Sequence, residues 1–164
     1  MDRHRPRPLT WWNNHLNKKL FALLMLGSLA FGTPTNAEPD NKALDEVMIV
    51  VTSRVDHVQG EAMLTAIGLA RKQHDVHILL CGQAAALGLR IYLPPALAPR
   101  HVSARELMQQ AMSYGATASV CHLFLPNSGY KRYTTNDLLP DVDVSDFETT
   151  VNKAVIAGDR VVRY

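Results

Sequence analysis

VMIVV, at residues 47–51, is a continuous apolar run in which β-branched residues dominate. A strand of this composition has no polar side to turn toward water, so both of its faces must be covered, as they are in parallel sheets. Two similar runs follow at residues 76–81 (VHILLC) and 118–125 (ASVCHLFL). These three runs predict the central strands of a largely parallel sheet.

Helical patterns separate the predicted strands. Apolar residues recur at helical spacing within residues 59–72, which predicts a first helix. Ser103 with Glu106 and Ser145 with Glu148 have the spacing of a capping box, and each pair predicts the start of a further helix. The chain then ends in a short apolar run. This alternation favours an α/β fold in which a mostly parallel sheet carries helices on both faces.

The two cysteines, Cys81 and Cys121, lie at or near the ends of the second and third predicted strands. Right-handed crossovers bring the carboxyl ends of parallel strands to one edge of the sheet, where open α/β sheets bind their ligands. Cys121 is the candidate functional residue. Its chemistry and position are compatible with four roles: a nucleophile, half of a disulfide, a metal ligand or a small core residue.

Residues 1–37 have the features of a secretory signal peptide. Five basic residues precede an apolar stretch at residues 20–32, and small residues at Thr35 and Ala37 suit cleavage after Ala37. The apolar stretch is well short of the roughly 20 residues that a membrane-spanning helix needs. We therefore predict a periplasmic protein without a stable membrane span after cleavage. An uncleaved N-terminal anchor is the alternative.

The remaining chain comprises a polar lead-in at residues 38–45 and one domain at residues 46–164, which is long enough to form a hydrophobic core. Five of the 17 basic residues and one of the 15 acidic residues lie within residues 1–37, so 12 basic and 14 acidic residues remain and the net charge is −2. Nucleic-acid binding requires a clustered basic face. The composition therefore gives no reason to expect a nucleic-acid partner.

Four segments of the domain resemble the DsrE/DsrF-like family. The first strand runs into Thr52-Ser53, and Ser119-Val120-Cys121 is followed by Gly129, as in the strand–Cys–helix–Gly pattern of the sulfur-relay members. Residues 136–142 (NDLLPDV) are similar to the family's DLL-x-G-V segment, and residues 158–164 (GDRVVRY) to its C-terminal end. The order and spacing of the four segments carry the resemblance.

The resemblance implies a flavodoxin-like sheet of about five strands and assembly as a homo-oligomer, a trimer or a hexamer. The sulfur-relay members carry a persulfide on the cysteine that Cys121 matches. Cys121 is thus the expected catalytic residue of a sulfurtransferase-type sulfur carrier, with a sulfur-donating or sulfur-accepting protein as its partner and without a cofactor. A helical turn that begins at Asn127 or Ser128, together with Lys131 and Arg132, would favour its thiolate form.

Other readings of the cysteines depend on geometry. In a flavodoxin-like strand order the first strand separates the two cysteine strands by about 9–10 Å. A disulfide tolerates roughly 7 Å between Cα atoms, so a Cys81–Cys121 bridge is not expected. A soft-metal site that uses Cys81, Cys121 and His57 is a weaker option.

A different class of function follows from residues 122–128 (HLFLPNS). The relay proteins have an Ala/Arg-rich helical start at this place, whereas this chain has Pro126 and bulky apolar residues. The replacement favours a non-catalytic periplasmic binding or assembly module that retains the fold alone.

Overall fold

The computed structural model describes residues 45–129 and 131–164. The predicted signal peptide, residues 1–37, and the predicted lead-in, residues 38–45 apart from Asp45, lie outside these described residues. None of the helices in the described part of the chain is both long and apolar enough to cross a bilayer.

The chain alternates strands with helices in the order β1 (Glu46–Val51), α1 (Asp56–Ala70), β2 (Asp75–Leu80), β3 (Ala96–Leu97), β4 (Val102–Ser103), α2 (Ala104–Ser113), β5 (Thr117–Cys121), α3 (Phe124–Asn127), β6 (Val142–Ser145), α4 (Phe147–Ala157) and β7 (Arg160–Arg163). Two 3₁₀ segments, Gly82–Gly88 and Thr135–Asp137, connect these elements. Five strands pair in parallel in the order β6-β5-β2-β1-β7, and β3 and β4 form a separate antiparallel pair.

Alternate residues of a strand point to opposite faces of the sheet, and each face has its own core. Val47, Ile49 and Val51 belong to one apolar cluster with residues of α1 and α2, which pack against each other. Met48 and Val50 belong to a second cluster with residues of α4. The predicted fold class, a five-stranded parallel sheet with helices on both faces, is therefore confirmed.

The strand order differs from the expected one in a way that determines the site. β2 lies between β1 and β5, so the expectation that β1 separates the two cysteine strands is wrong. The crossovers through α1 and α2 lie on the same face, and right-handed connections on one face move the chain in one direction across the sheet. Only α4, on the opposite face, returns the chain from the β6 edge to the β7 edge.

The third predicted strand, residues 118–125, is shorter than its apolar pattern indicates. β5 ends at Cys121, and the next residues turn into the short helix α3. Leu125 is buried in the α1 and α2 core, and Phe124 stacks on Tyr133 with 6.2 Å between ring centroids. The apolar residues after Cys121 therefore cover the end of the sheet instead of extending the strand.

The last helix begins one residue later than its predicted capping box. Ser145 is the final residue of β6, a strand that was not predicted, and Asp146 caps α4 by accepting a hydrogen bond from the Thr149 backbone N–H at 2.8 Å. The capping box at Ser103 and Glu106 is confirmed: the carboxylate of Glu106 accepts from the Ser103 N–H at 2.8 Å. Each of the two caps determines the residue at which a helix begins after the preceding strand.

Close packing beneath the carboxyl edge gives a stability prediction. A Cβ atom at Gly88 would lie 2.6 Å from Cγ2 of Val120, the residue before Cys121. We expect Gly88→Ala to lower the free energy of unfolding by about 1–3 kcal/mol, because the core must shift to accept the methyl group. Urea denaturation measures the change.

Gly68→Ala is the matched control, since apart from its chain neighbours and the nearby backbone of α1 no atom of the described residues lies within 4 Å of a Cβ at this exposed position. Alanine favours a helix over glycine by about 0.5–1 kcal/mol, so this variant should be slightly more stable. Equal effects of the two substitutions would contradict the packing described for Gly88.

Candidate functional site

The two cysteines occupy equivalent places on neighbouring strands. Leu80 pairs with Val120 in the parallel ladder between β2 and β5, and Cys81 and Cys121 are the next residue of each chain segment. Their Cα atoms are 5.0 Å apart, and their sulfurs are joined in a disulfide. This Cα separation lies within the range of about 4.4–6.8 Å that disulfides span.

The expectation that these cysteines are too far apart to bridge is wrong. It rested on a strand order in which β1 intervenes, whereas β2 and β5 are adjacent. Of the four roles open to Cys121, the structure has it as half of a disulfide, and the described chain contains no free cysteine.

A cavity of about 1050 Å³ lies at the carboxyl edge of the sheet, and both half-cystines line it. The wall residues come from the ends of β1, β2 and β5, from the segments that follow them, and from the start of α4: Thr52, Arg54, Gln59, Cys81, Gly82, Gln83, Ala86, Leu89, Ile91, Tyr92, Cys121, Leu123, Phe124, Asn127, Ser128, Gly129, Tyr133 and Phe147. Open α/β sheets bind ligands in such crevices. The volume slightly exceeds the upper end of the range of about 300–1,000 Å³ for small-molecule sites.

The environment of the disulfide is largely apolar. Cys81 and Cys121 are 7% and 6% exposed and pack with Val50 of β1 and Val151 of α4. Among the described wall residues, Arg54 carries the single formal charge. The guanidinium group of Arg54 favours an anion over a cation in this cavity.

The side chains that were expected to activate Cys121 lie elsewhere. Lys131 forms an ion pair with Asp137 (Nζ to Oδ1, 3.4 Å), and neither Lys131 nor Arg132 lines the cavity. The expected helical turn from Asn127 or Ser128 is also wrong, because α3 ends at Asn127.

His122, next to Cys121, is half-exposed and points to the last helix. Its Nδ1 lies 3.2 Å from Oδ1 of Asp146. A hydrogen bond from the Thr149 backbone N–H is the main cause that lowers the pKa of the Asp146 carboxyl, and His122 lowers it further. Asp146 is therefore charged at neutral pH and connects the start of α4 to the residue after the disulfide.

Two buried polar residues near the carboxyl edge of the sheet have no counterpart in the sequence patterns. Gln59 is 2% exposed within α1, and its Nε2 donates to the Ser53 carbonyl at 2.8 Å. No donor of the described chain reaches its Oε1. Arg105 donates from Nε to the Leu87 carbonyl at 3.1 Å, so a buried guanidinium anchors the 3₁₀ segment that follows Cys81. A single Gln or a single Arg within a helix forms no sequence motif, so neither residue could be recognised from the sequence.

The metal alternative receives no geometric support from the described residues. His57 is exposed on the first turn of α1, and it is not part of the cavity wall. Nowhere in residues 45–129 and 131–164 do three or more His, Cys, Asp or Glu side chains come together as a metal site.

Comparison with known proteins identifies the fold and nothing more specific. No protein-family profile and no curated protein matches the sequence. The structure is similar to that of MTH1491, a protein of unknown function from Methanobacterium thermoautotrophicum, with a TM-score of 0.51, 16% sequence identity, and coverage of 73% of this chain and 97% of that one. A likeness at this level of identity shows a shared α/β fold.

The face of the sheet that carries the disulfide becomes polar toward the other end of the strands. His77 lies on β2 between two hydroxyl groups of β5, with Nδ1 2.8 Å from Thr117 Oγ1 and Nε2 2.9 Å from Ser119 Oγ. Burial lowers the pKa of His77 below its usual value of 6.5, and the carboxylates of Asp75 and Asp143 oppose this shift. The neutral ring is thus the form that the folded chain prefers.

This preference predicts a pH dependence of stability. As the pH falls below about 6.5, the unfolded chain takes up a proton at His77 before the folded chain does, so the free energy of unfolding decreases. The substitution His77→Gln removes the titrating ring and with it this contribution to the pH dependence of the free energy of unfolding. We expect thermal or urea unfolding to show a smaller loss of stability between about pH 7 and pH 5 in the variant than in the wild type. Equal losses in the two proteins would show that His77 is not responsible.

The disulfide predicts a second, larger effect on stability. It joins residues 40 positions apart, and closure of a loop of that length stabilises the folded state by about 4 kcal/mol in the chain-entropy description. Urea denaturation with and without a dithiol reductant should reveal a loss of this order in the wild type. The double variant Cys81→Ala/Cys121→Ala should be insensitive to the reductant, and a wild type that is equally insensitive would contradict the assignment.

Proposed function

We propose that this protein, after reduction of its disulfide, carries sulfane sulfur as a persulfide on Cys121. The observation that supports this most is the position of Cys121 at the carboxyl end of β5, in the wall of a large cavity. The resemblance of the surrounding sequence to sulfur-relay proteins of the DsrE/DsrF-like family supports the same chemistry. The segment at residues 1–37 supports a periplasmic location, where disulfides form readily.

The chemistry requires only the thiolate of Cys121 and a donor. In the loading step, Cys121 attacks the terminal sulfur of a low-molecular-weight persulfide, a new S–S bond forms on Cys121, and the donor leaves as a thiolate. The cavity is large enough for a donor of the size of a tripeptide persulfide. Arg54 in the wall favours an anionic donor and a charged sulfur.

Assembly with further chains is part of the proposal. Ile91, Leu93 and Leu123 are 70%, 84% and 62% exposed, and both Ile91 and Leu123 contribute to the cavity wall. Apolar side chains at the mouth of a cavity suit contact with another protein, such as a second copy in a homotrimer or hexamer, or a sulfur donor or acceptor.

The test uses the variant Cys81→Ser, which leaves Cys121 as the single thiol of the described domain. The reduced, desalted protein is incubated with one equivalent of glutathione persulfide and examined by intact-mass spectrometry. We expect a gain of about 32 Da, one sulfur atom, that a dithiol reductant removes.

Cys121→Ser is the matched control, because it retains Cys81 in the same cavity. Its mass should stay unchanged under the same conditions. Absence of the adduct in Cys81→Ser, or an equal adduct in both variants, would refute the assignment to Cys121.

The burial of the disulfide favours a second candidate function, a non-catalytic binding module in which the bridge is structural. Both half-cystines pack with Leu79 and Ala154 in the apolar cluster beneath α4. In that case Cys121 of Cys81→Ser would neither gain sulfur nor react with small alkylating reagents while the chain is folded.

A further inference from the structure

We infer that Cys81 is a resolving thiol, which discharges the sulfur on Cys121 as hydrogen sulfide. This inference rests on the proposed loading of Cys121 and adds the fate of the sulfur. It makes the protein a reductant of persulfides and polysulfides, not only a carrier.

The geometry brings the second thiol to the reacting atom. Cys81 and Cys121 follow equivalent residues of adjacent parallel strands, their Cα atoms are 5.0 Å apart, and their sulfurs meet in a bond. Both belong to the same apolar cluster and the same cavity wall. A persulfide on Cys121 therefore forms with a thiol already within bonding range of its inner sulfur.

The step is balanced within the chain. The sulfur of Cys81 attacks the inner sulfur of the Cys121 persulfide, the Cys81–Cys121 bond forms, and the bond between Cys121 and the outer sulfur breaks. The outer sulfur leaves with the bonding electron pair and with the proton of the Cys81 thiol, as hydrogen sulfide. The dithiol loses two electrons, and the sulfane sulfur gains them.

The disulfide in the structure is the product of this step. A dithiol reductant, acting by thiol–disulfide exchange, must then restore both thiols before the next cycle. Because the attack is intramolecular, it has the advantage of an oriented neighbouring group over any acceptor that arrives from solution. The lifetime of the persulfide on Cys121 is therefore set by Cys81.

The class of substrate follows from the cavity. It must present a terminal sulfane sulfur to the carboxyl edge of the sheet between β2 and β5, past Phe124, Tyr92 and Tyr133. Small persulfides and hydropolysulfides meet this requirement, and their negative charge matches Arg54.

The experiment compares reduced wild type with Cys81→Ser after one equivalent of glutathione persulfide. This donor releases glutathione on loading, so sulfide that appears together with the re-formed disulfide, and without a glutathione adduct in the intact mass, reports the second step. In the wild type we expect about one sulfide per chain and a final mass about 2 Da below that of the reduced protein, since the disulfide has formed again. Cys81→Ser should retain the added sulfur and release sulfide at least roughly tenfold more slowly.

The outcomes separate the two claims. A stable persulfide on both wild type and Cys81→Ser would refute the role of Cys81 and leave the proposed function intact. Failure of Cys81→Ser to load would refute the proposed function itself. Cys81→Ala is a second variant for the case that serine disturbs the apolar cluster, and each protein is first shown to be folded by circular dichroism.

Discussion

The pairing of β2 with β5 is the constraint on which the site depends. Because no strand lies between them, Cys81 and Cys121 leave the sheet side by side. The segment between the two cysteines contains the 3₁₀ turn after β2 and the helix α2, and the buried side chain of Arg105 joins these two parts at the Leu87 carbonyl. The disulfide joins the two ends of this segment, and it therefore holds this wall of the cavity against the sheet.

The disulfide has an apolar side and a cavity side, and the two sides suit different roles. Packing with Val50 and Val151 holds the bridge in place, and the loop that it closes makes it a stabilising cross-link. The same two half-cystines also line the cavity at the carboxyl edge of the sheet. Under the proposed function the cross-link is broken by reduction, while the sheet, which has its own core on the opposite face, keeps the two thiols adjacent.

The sequence predicted the elements better than their arrangement. Runs such as VMIVV identify buried strands because composition is local, and the capping box at Ser103 marks a helix start for the same reason. The order of the strands depends on which face of the sheet each connecting helix covers. No local sequence pattern contains this information. β6 escaped prediction because it has only four residues, of which two are apolar, and this is too short for a clear strand pattern. The end of β5 was predicted too late because the residues after Cys121 are apolar for packing at the sheet edge.

A redox titration of the Cys81–Cys121 pair in the folded protein distinguishes a functional dithiol from a structural cross-link. Samples are equilibrated with dithiol buffers of graded potential, free thiols are alkylated, and intact mass gives the oxidised fraction while circular dichroism monitors the fold. A functional pair should be reduced with the fold retained within the range of thioredoxin-type dithiols, at or above about −270 mV. A disulfide that stays oxidised until the chain unfolds would be purely structural, and neither sulfur loading at Cys121 nor its release by Cys81 could then take place.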